Sequence, residues 1–175
     1  MRPVRDKSME LIQNYISGHY VTPKSIDGLN LYNPGTGEMY GELVDLNSDD
    51  IQDAVSSAKD AFPSWSGLSF SERADHIMAI ADEIDAQSDI FSELESRDTG
   101  KQFSLARSLD IPRSIYNFKF FAKHVKDFKF KSELQKEVST NYIQRMPLGV
   151  VCCISPWNLS LIHISEPTRQ EATPY

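Results

Sequence analysis

The sequence has few of the residues that build disulfide, metal or membrane-spanning structures. Its only cysteines, Cys152 and Cys153, are neighbours and cannot bridge two distant parts of the backbone. The four histidines stand singly, without the spacing at which side chains converge on a metal, so we expect no metal site. The longest purely apolar run, residues 150–154, is far shorter than the roughly 20 residues that a transmembrane helix needs. We therefore expect no contact with a membrane.

The N-terminus also lacks the apolar stretch and small-residue cleavage site of a secretory signal. Charged residues are spread through residues 1–10, which we expect to be a flexible N-terminus. With the sparing use of cysteine, this predicts a cytoplasmic protein.

The composition, 40% hydrophobic and 25% charged, is that of a folded globular chain. The net charge of −7 is uneven: residues 1–100 carry −12 and residues 101–175 carry +5. The basic segment 113–131 interleaves lysines with aromatic residues, as a platform for nucleic acid or another polyanion would. The opposite helix face carries an apolar stripe that fits core packing instead, namely Ile115, Phe118, Ala122 and Val125. We expect a solvated basic face and no nucleic acid, and keep the polyanion-binding module as the alternative.

Turn signals and helical periodicity predict a mixed α/β chain. Asn33-Pro34-Gly35 and Asp27-Gly28 favour tight turns, which predicts one or two N-terminal β-hairpins. Residues 49–62 have the spacing of an amphipathic helix that Pro63 should end. A capping box, Ser69 to Glu72, opens a second helix. A third should close at Gly100, and a fourth should run from Ser104 to about Val125, with Pro112 as a kink or in a new first turn.

Two strands are predicted after the helices. Residues 138–143 alternate as a half-exposed strand. Residues 148–154 form a continuous apolar, β-branched run, which is typical of a strand buried on both faces of a parallel sheet. Cys152 and Cys153 lie in that run, so we expect them to pack in the core rather than to react.

The loop that follows is the place where chemistry is expected. In open α/β sheets, ligands bind where strands run into loops. Pro156 fixes the backbone there, Trp157 offers an apolar wall, and the amide of Asn158 can donate to a developing oxyanion. From the residues alone, a structural loop with one buried tryptophan remains open.

Several ordered segments together resemble the NAD(P)-dependent aldehyde dehydrogenase superfamily. The segment from Ser108 to Ala122 is similar to the branch that acts on aminomuconic and hydroxymuconic semialdehydes. The segments that carry the family resemblance are Tyr15-Ile16-Ser17-Gly18, Asn33-Pro34-Gly35-Thr36-Gly37-Glu38, Ala61-Phe62-Pro63-Ser64-Trp65-Ser66, Asp98-Thr99-Gly100-Lys101, and Pro147 to Val151 with Pro156-Trp157-Asn158.

The resemblance implies the fold, the cofactor and a few roles. It implies the N-terminal part of the aldehyde dehydrogenase fold: hairpins, helices, an oligomerisation-type strand and the first strand of an incomplete Rossmann-like sheet. Asn158 would hold the oxyanion of the thiohemiacetal. The cofactor, NAD or NADP, would lie against Ile154, Ser155, Pro156, Trp157 and Asn158. The family's nucleophilic cysteine and general-base glutamate lie beyond this loop, so we expect the chain alone to be inactive.

The resemblance also implies how the chain is organised. Residues 11–159 would be a partial NAD-binding domain, with the oligomerisation-type strand at about 132–146. The full-length protein would take a small aldehyde and form a homo-oligomer, a dimer or a tetramer. A subunit that is inactive within a dehydrogenase oligomer is a further alternative. Residues 160–175 depart from the family pattern, and 159–169 resemble a reading frame through a sequencing-library adapter, so we expect the tail to be an artefact.

Overall fold

A computed structural model describes residues 10–23, 28–129, 131–135 and 138–156 of the chain. Within these residues, seven strands and five α-helices succeed one another, with one π-helical turn between the last two helices. In chain order they are β1 Glu10–Ile12, β2 Asn14–Ile16, β3 His19–Val21, β4 Gly28–Tyr32, β5 Met39–Val44, α1 Ser48–Gly67, α2 Phe70–Ala86, α3 Ser88–Thr99, α4 Phe103–Leu105, the π turn Ala106–Asp110, α5 Ile111–Asp127, β6 Lys131–Gln135 and β7 Thr140–Gln144.

The expected N-terminal hairpins are present. Strands β2 and β3 pair across a two-residue turn in which Ser17 (φ 53°) and Gly18 (φ 81°) are both left-handed. Strands β4 and β5 pair across the Asn33–Glu38 turn. Strand β1 lies parallel to β5 in a three-stranded sheet, so Glu10 belongs to a strand and not to the expected flexible N-terminus, whose other residues lie outside the described ranges.

Helix α1 begins as expected but does not end at Pro63. Asn47 and Asp50 form a capping box at its N-terminus. Pro63 lies inside the helix, which continues to Gly67. A proline removes one backbone donor, but its fixed φ is helical. The hydroxyls of Ser64 and Ser66 also donate to the carbonyls of Ala61 and Pro63, within the same helix.

The helical core lies between α2 and α5. The capping box of Ser69 and Glu72 opens α2 as predicted. Ala81 and Ile84 of α2 are buried against Ile111 and Phe118 of α5, and the expected stripe on α5 faces this core. Burying a side chain of this size contributes roughly 1.5–3 kcal/mol, so this cluster is the main apolar support of the described fold.

Helix α5 starts after a π turn. Residues Ala106–Asp110 form this turn, and Pro112 lies in the first turn of α5, where its missing N–H costs little. The sequence left two possibilities for Pro112, a kink or a new first turn, and the structure shows the new first turn. Helix α3 ends, as predicted, at Gly100, which adopts a left-handed conformation with φ 75°.

The segment after α5 forms a hairpin. Strand β7 pairs antiparallel with β6, in register from Lys131 opposite Gln144 to Gln135 opposite Thr140. One strand was expected over about 132–146, but the structure has two. Val138 precedes β7 and is almost fully exposed.

The buried strand expected at residues 148–154 is not formed. These residues have no strand hydrogen bonding, and Leu148 and Ile154 are 93% and 90% exposed. Cys152 and Cys153 are exposed too, so their predicted core packing is wrong. A parallel-sheet strand needs neighbouring strands that pair with its edges, and none of the described strands pairs with this segment.

Candidate functional site

The candidate site lies at the end of the described chain, where residues 145–156 run along the helices. Arg145, Met146, Pro147 and Gly149 border a cavity against the α1–α2 junction. Residues 150–152 border a second cavity, of about 700 Å³, against β2 and α1. The segment therefore follows the apolar side of α1 without hydrogen bonding into a sheet.

Three of the five predicted cofactor residues are described. Ile154 is 90% exposed, Pro156 is exposed and Ser155 is half-buried. Trp157 and Asn158 lie outside the described residues, so the structure does not test their placement. The roles assigned to all five stay predictions.

The chemistry of this segment suits an uncharged ligand group. Residues 148–156 contain no charged side chain, and Ile154 and Pro156 present apolar surface to solvent. Such a surface fits a nicotinamide ring better than a pyrophosphate, which needs cationic or N–H donors. The residues present therefore fit one end of a dinucleotide.

Two of the sequence motifs meet in space. The turn that contains Pro34 and Gly35 packs on Gly100, the last-turn cap of α3. A Cβ atom added at Gly100 would come within 3.1 Å of the Pro34 Cβ and 3.4 Å of the Gly35 nitrogen. Gly100 is therefore constrained by its left-handed backbone and by this close contact, which brings the two motifs together in the fold.

Lys101, which follows this glycine, joins α3 to the π turn. Its Nζ lies 2.7 Å from Asp110 Oδ2 and 3.5 Å from Glu95 Oε1, and both carboxylates are buried. Burial lowers the pKa of Lys101, but its hydrogen bond to Asp110 and the two carboxylate charges outweigh this effect and raise it overall. Burial raises the pKa of Glu95 despite the nearby ammonium. We name these three residues the Lys101 cluster.

The Lys101 cluster was not predicted from the sequence. Lys101 and Asp110 each belong to a recognised motif, but nothing in either motif says that their side chains meet. The spacing of nine residues across two helix ends has no simple periodicity. The available signal of the cluster was Glu95, a charged residue on the buried face of α3.

A second polar contact fastens the sheet to α3. Tyr40 of β5 donates to Asp98 Oδ1 over 2.6 Å, and Arg97 stacks on the Tyr40 ring while pairing with Glu10 of β1. Burial, together with the hydrogen bond to Asp98, raises the pKa of Tyr40 to about 12. The tyrosine therefore acts as a neutral hydrogen-bond donor at any physiological pH.

Comparison with known proteins decides the family. The sequence profile of the Aldehyde dehydrogenase family matches residues 20–169. The chain belongs to the aldehyde dehydrogenase family. The expected fold, the N-terminal part of the aldehyde dehydrogenase fold, is thereby confirmed. The matched range includes residues 160–169, and the origin of the tail stays a prediction.

Curated aldehyde dehydrogenases from the semialdehyde branch are similar to the chain. The 2-aminomuconic semialdehyde dehydrogenase of Danio rerio is 38% identical over 161 residues, covering 90% of this chain and 32% of the relative. The 2-hydroxymuconic semialdehyde dehydrogenase of Pseudomonas sp. (strain CF600) is 36% identical, covering 88% of this chain and 33% of the relative. The chain thus spans about a third of the length of these relatives.

A solved structure is also similar to the chain. PnpE, known from Pseudomonas sp. WBC-3 and solved in complex with nicotinamide adenine dinucleotide, superposes with a TM-score of 0.79 at 33% identity. The match covers 88% of this chain and 32% of PnpE.

Among the described residues no three potential metal-ligating side chains cluster. The helices within those residues are too polar or too short to cross a membrane.

Proposed function

We propose that this chain forms the N-terminal third of an NAD(P)-dependent aldehyde dehydrogenase that oxidises a muconic-type semialdehyde to the carboxylic acid. The observation that carries this proposal is the 38% identity to a 2-aminomuconic semialdehyde dehydrogenase over 90% of the chain. The similarity of the segment around Asp110 and Arg113 to that branch supports the substrate class.

The chain's own contribution would be one wall of the cofactor site. Ile154 and Pro156 would contact the nicotinamide end through their exposed apolar surface, and Trp157 would extend that surface. The cofactor, when bound, accepts a hydride from the substrate carbon. A solved relative with bound nicotinamide adenine dinucleotide supports this choice of cofactor.

Asn158 would donate its side-chain amide to the oxygen that becomes negative after nucleophilic attack. Charge develops on that oxygen only in the transition state, so the amide would stabilise the transition state more than the bound aldehyde. Removing one such donor typically lowers kcat by roughly 10²–10³.

The nucleophile and the general base would come from outside this chain. Cys152 and Cys153 lie before the loop, and residues 148–156 contain no cation that could stabilise a thiolate. We therefore expect the purified 175-residue chain to oxidise no aldehyde with NAD or NADP. Aldehyde oxidation at a rate proportional to the concentration of the purified chain would contradict this part of the proposal.

A chimaera tests the proposal in an enzyme of full length. Residues 20–158 of this chain would replace the matching segment of the Danio rerio relative, and NADH formation would be followed with a muconic semialdehyde. We expect turnover, and a loss of roughly 10²-fold or more in kcat for Asn158→Ala with chemistry rate-limiting. Asn30→Ala, at an exposed position of β4, is the matched control and should leave kcat unchanged. If the Asn158→Ala chimaera kept the kcat of its parent, Asn158 would have no catalytic role and the loop would be structural.

The contacts of α5 weigh against the polyanion alternative. Lys119 pairs with Asp82 at 2.8 Å, and Lys126 pairs with Asp75 at 2.7 Å, so acidic residues of α2 already neutralise two lysines of the basic face. A salt-dependent gel shift with single-stranded nucleic acid would favour that alternative.

We also propose a location and an oligomeric state for the protein of full length. The protein of full length would be a cytoplasmic homo-oligomer, and the β6–β7 hairpin, whose described side chains are mostly exposed, would supply a contact between subunits. An inactive subunit that joins such an oligomer remains the alternative for this chain alone. Co-purification with a full-length relative would favour the inactive subunit.

A further inference from the structure

A groove with two arginines lies where the C-terminal segment crosses the α1–α2 junction. It has a volume of about 620 Å³, within the range of small-molecule sites in proteins. We call it the arginine groove. It is lined by Phe62, Trp65, Ser66, Leu68, Ser69, Phe70, Arg73, Arg145, Met146, Pro147 and Gly149.

Arg73 is held in place at one wall of the groove. Its Nη1 donates to the Leu68 carbonyl over 2.5 Å and to the Trp65 carbonyl over 3.4 Å. Its guanidinium carbon lies 4.6 Å from the centre of the Phe70 ring. Both hydrogen bonds use Nη1, and a guanidinium carries five N–H donors, so its other nitrogens can serve a ligand. The arginine is fixed in orientation before any ligand binds.

Arg145 brings a second positive charge to the lining of the groove. Its Nη1 donates to the Lys129 carbonyl over 3.3 Å, and its guanidinium carbon lies 5.4 Å from the centre of the Phe128 ring. Both of these partners are uncharged groups.

Among the described residues, the positive charge of the groove has no acidic partner. None of its lining residues is acidic. Arg97 and Arg107 elsewhere pair with Glu10 and Asp89, whereas within the described ranges Arg73 and Arg145 make their contacts with carbonyl groups and rings. Two such charges beside aromatic walls complement a molecule with one anionic end and an apolar body.

We propose that the arginine groove binds a small amphipathic carboxylate. The carboxylate would accept hydrogen bonds from Arg73 and Arg145, and the apolar body would lie against Phe62, Trp65 and Met146. A carboxylate suits the planar fork of an arginine, which can donate two parallel hydrogen bonds to it. The lining of the groove does not include residues 154–156, and the proposal does not depend on the proposed dehydrogenase activity.

Trp65 supplies a direct readout in the 175-residue chain itself. The chain has two tryptophans, so Trp157→Phe leaves Trp65 as the only one. Octanoate would be titrated into this variant, with 1-octanol as the uncharged probe of the same body. We expect a saturable change in Trp65 emission with octanoate, at least tenfold weaker binding of 1-octanol, and unchanged helical circular dichroism.

Arginine variants separate a built site from general apolar binding. Arg73→Gln and Arg145→Gln should each weaken octanoate binding by about tenfold or more, the usual effect of losing a charge-assisted hydrogen bond. Arg107→Gln, which removes an arginine outside the groove, is the matched control and should bind as the parent does. Because Arg73 also holds backbone carbonyls, Arg145→Gln provides the test if Arg73→Gln does not fold.

Several results would overturn the proposal. They are octanoate binding that does not saturate, equal affinity for octanoate and 1-octanol, unchanged affinity in Arg145→Gln, and an equal loss of affinity in Arg107→Gln. Loss of helical circular dichroism during the titration would count in the same way, because it would show unfolding instead of binding.

Discussion

The α2–α5 core and the segment 148–156 differ in what they need in order to be ordered. Both were predicted as buried apolar elements. In the core, Ala81 and Ile111 have no exposed surface, whereas Leu148 and Ile154 are almost fully exposed. A helix satisfies its backbone hydrogen bonds within itself, but a strand needs neighbouring strands. The same apolar pattern therefore gives a packed element in one region and an exposed one in the other.

Truncation of matched isoleucines should show the largest difference between the two regions. Ile111→Ala should lower the free energy of unfolding by about 2–5 kcal/mol, since it leaves a cavity between α2 and α5. Ile154→Ala should change it by less than about 0.5 kcal/mol, because its side chain already faces water. Urea denaturation followed by circular dichroism measures both. Equal losses would mean that segment 148–156 is packed as firmly as the core.

The Lys101 cluster gives the next largest effect. Lys101→Met should lower the free energy of unfolding by about 2 kcal/mol, because it leaves the buried carboxylates of Glu95 and Asp110 without their cation. This figure is below the usual cost of breaking a buried ion pair because a quarter of the Lys101 side chain is exposed. Lys123→Met, on the exposed face of α5, is the control. If both variants were equally stable, the cluster would not hold α3 to the π turn.

A glycine pair sharpens the account of the motif contact. Gly100 and Gly37 both have φ of 75°, but only at Gly100 would a Cβ meet another residue, Pro34. Each change to alanine should cost about 1 kcal/mol for the left-handed backbone. Gly100→Ala should cost roughly 1 kcal/mol more because the Pro34 turn must move. Thermal unfolding of the two variants measures this difference, and identical melting temperatures would remove the contact from the account.

The pH dependence of Glu95 should be the smallest effect. Its pKa is raised in the folded chain by burial, so the folded chain holds a proton that the unfolded chain releases. The stability that this proton contributes is therefore fully present at pH values below the ordinary glutamate pKa. It is lost as the pH rises through the raised pKa of Glu95 in the folded chain. Glu95→Gln should remove this loss and flatten the profile over that window. Urea midpoints across that pH range measure it, and an unchanged slope would contradict the assignment.

Local chemistry made much of the fold predictable from the sequence. Capping boxes, helical periodicity and a C-terminal glycine are signals within a few residues, and they correctly located α2 and the end of α3. Pro63 misled because its fixed φ is helical, so the helix continues past it to Gly67. The single strand expected at about 132–146 is instead the pair β6 and β7, because Lys131–Gln135 has no clear apolar alternation that would mark it as a separate strand.

The site was less predictable, because it depends on residues that are distant in sequence. The motifs around Pro34 and Gly100 could be recognised, but only the structure shows that they touch. The same holds for Lys101 with Asp110, and for the two arginines that converge from α2 and the segment after β7. The oxyanion role of Asn158 rests on family resemblance and stays a prediction.

The reactivity of Cys152 and Cys153 tests the central claim, that the helical core folds while segment 148–156 stays exposed. The rate of alkylation by iodoacetamide would be measured in the native chain and again in urea, with circular dichroism confirming intact helices in the native sample. The account predicts similar rates in both states, because both thiols face solvent. Alkylation slowed by 100-fold or more in the native chain would show that the segment is buried, and would contradict the account.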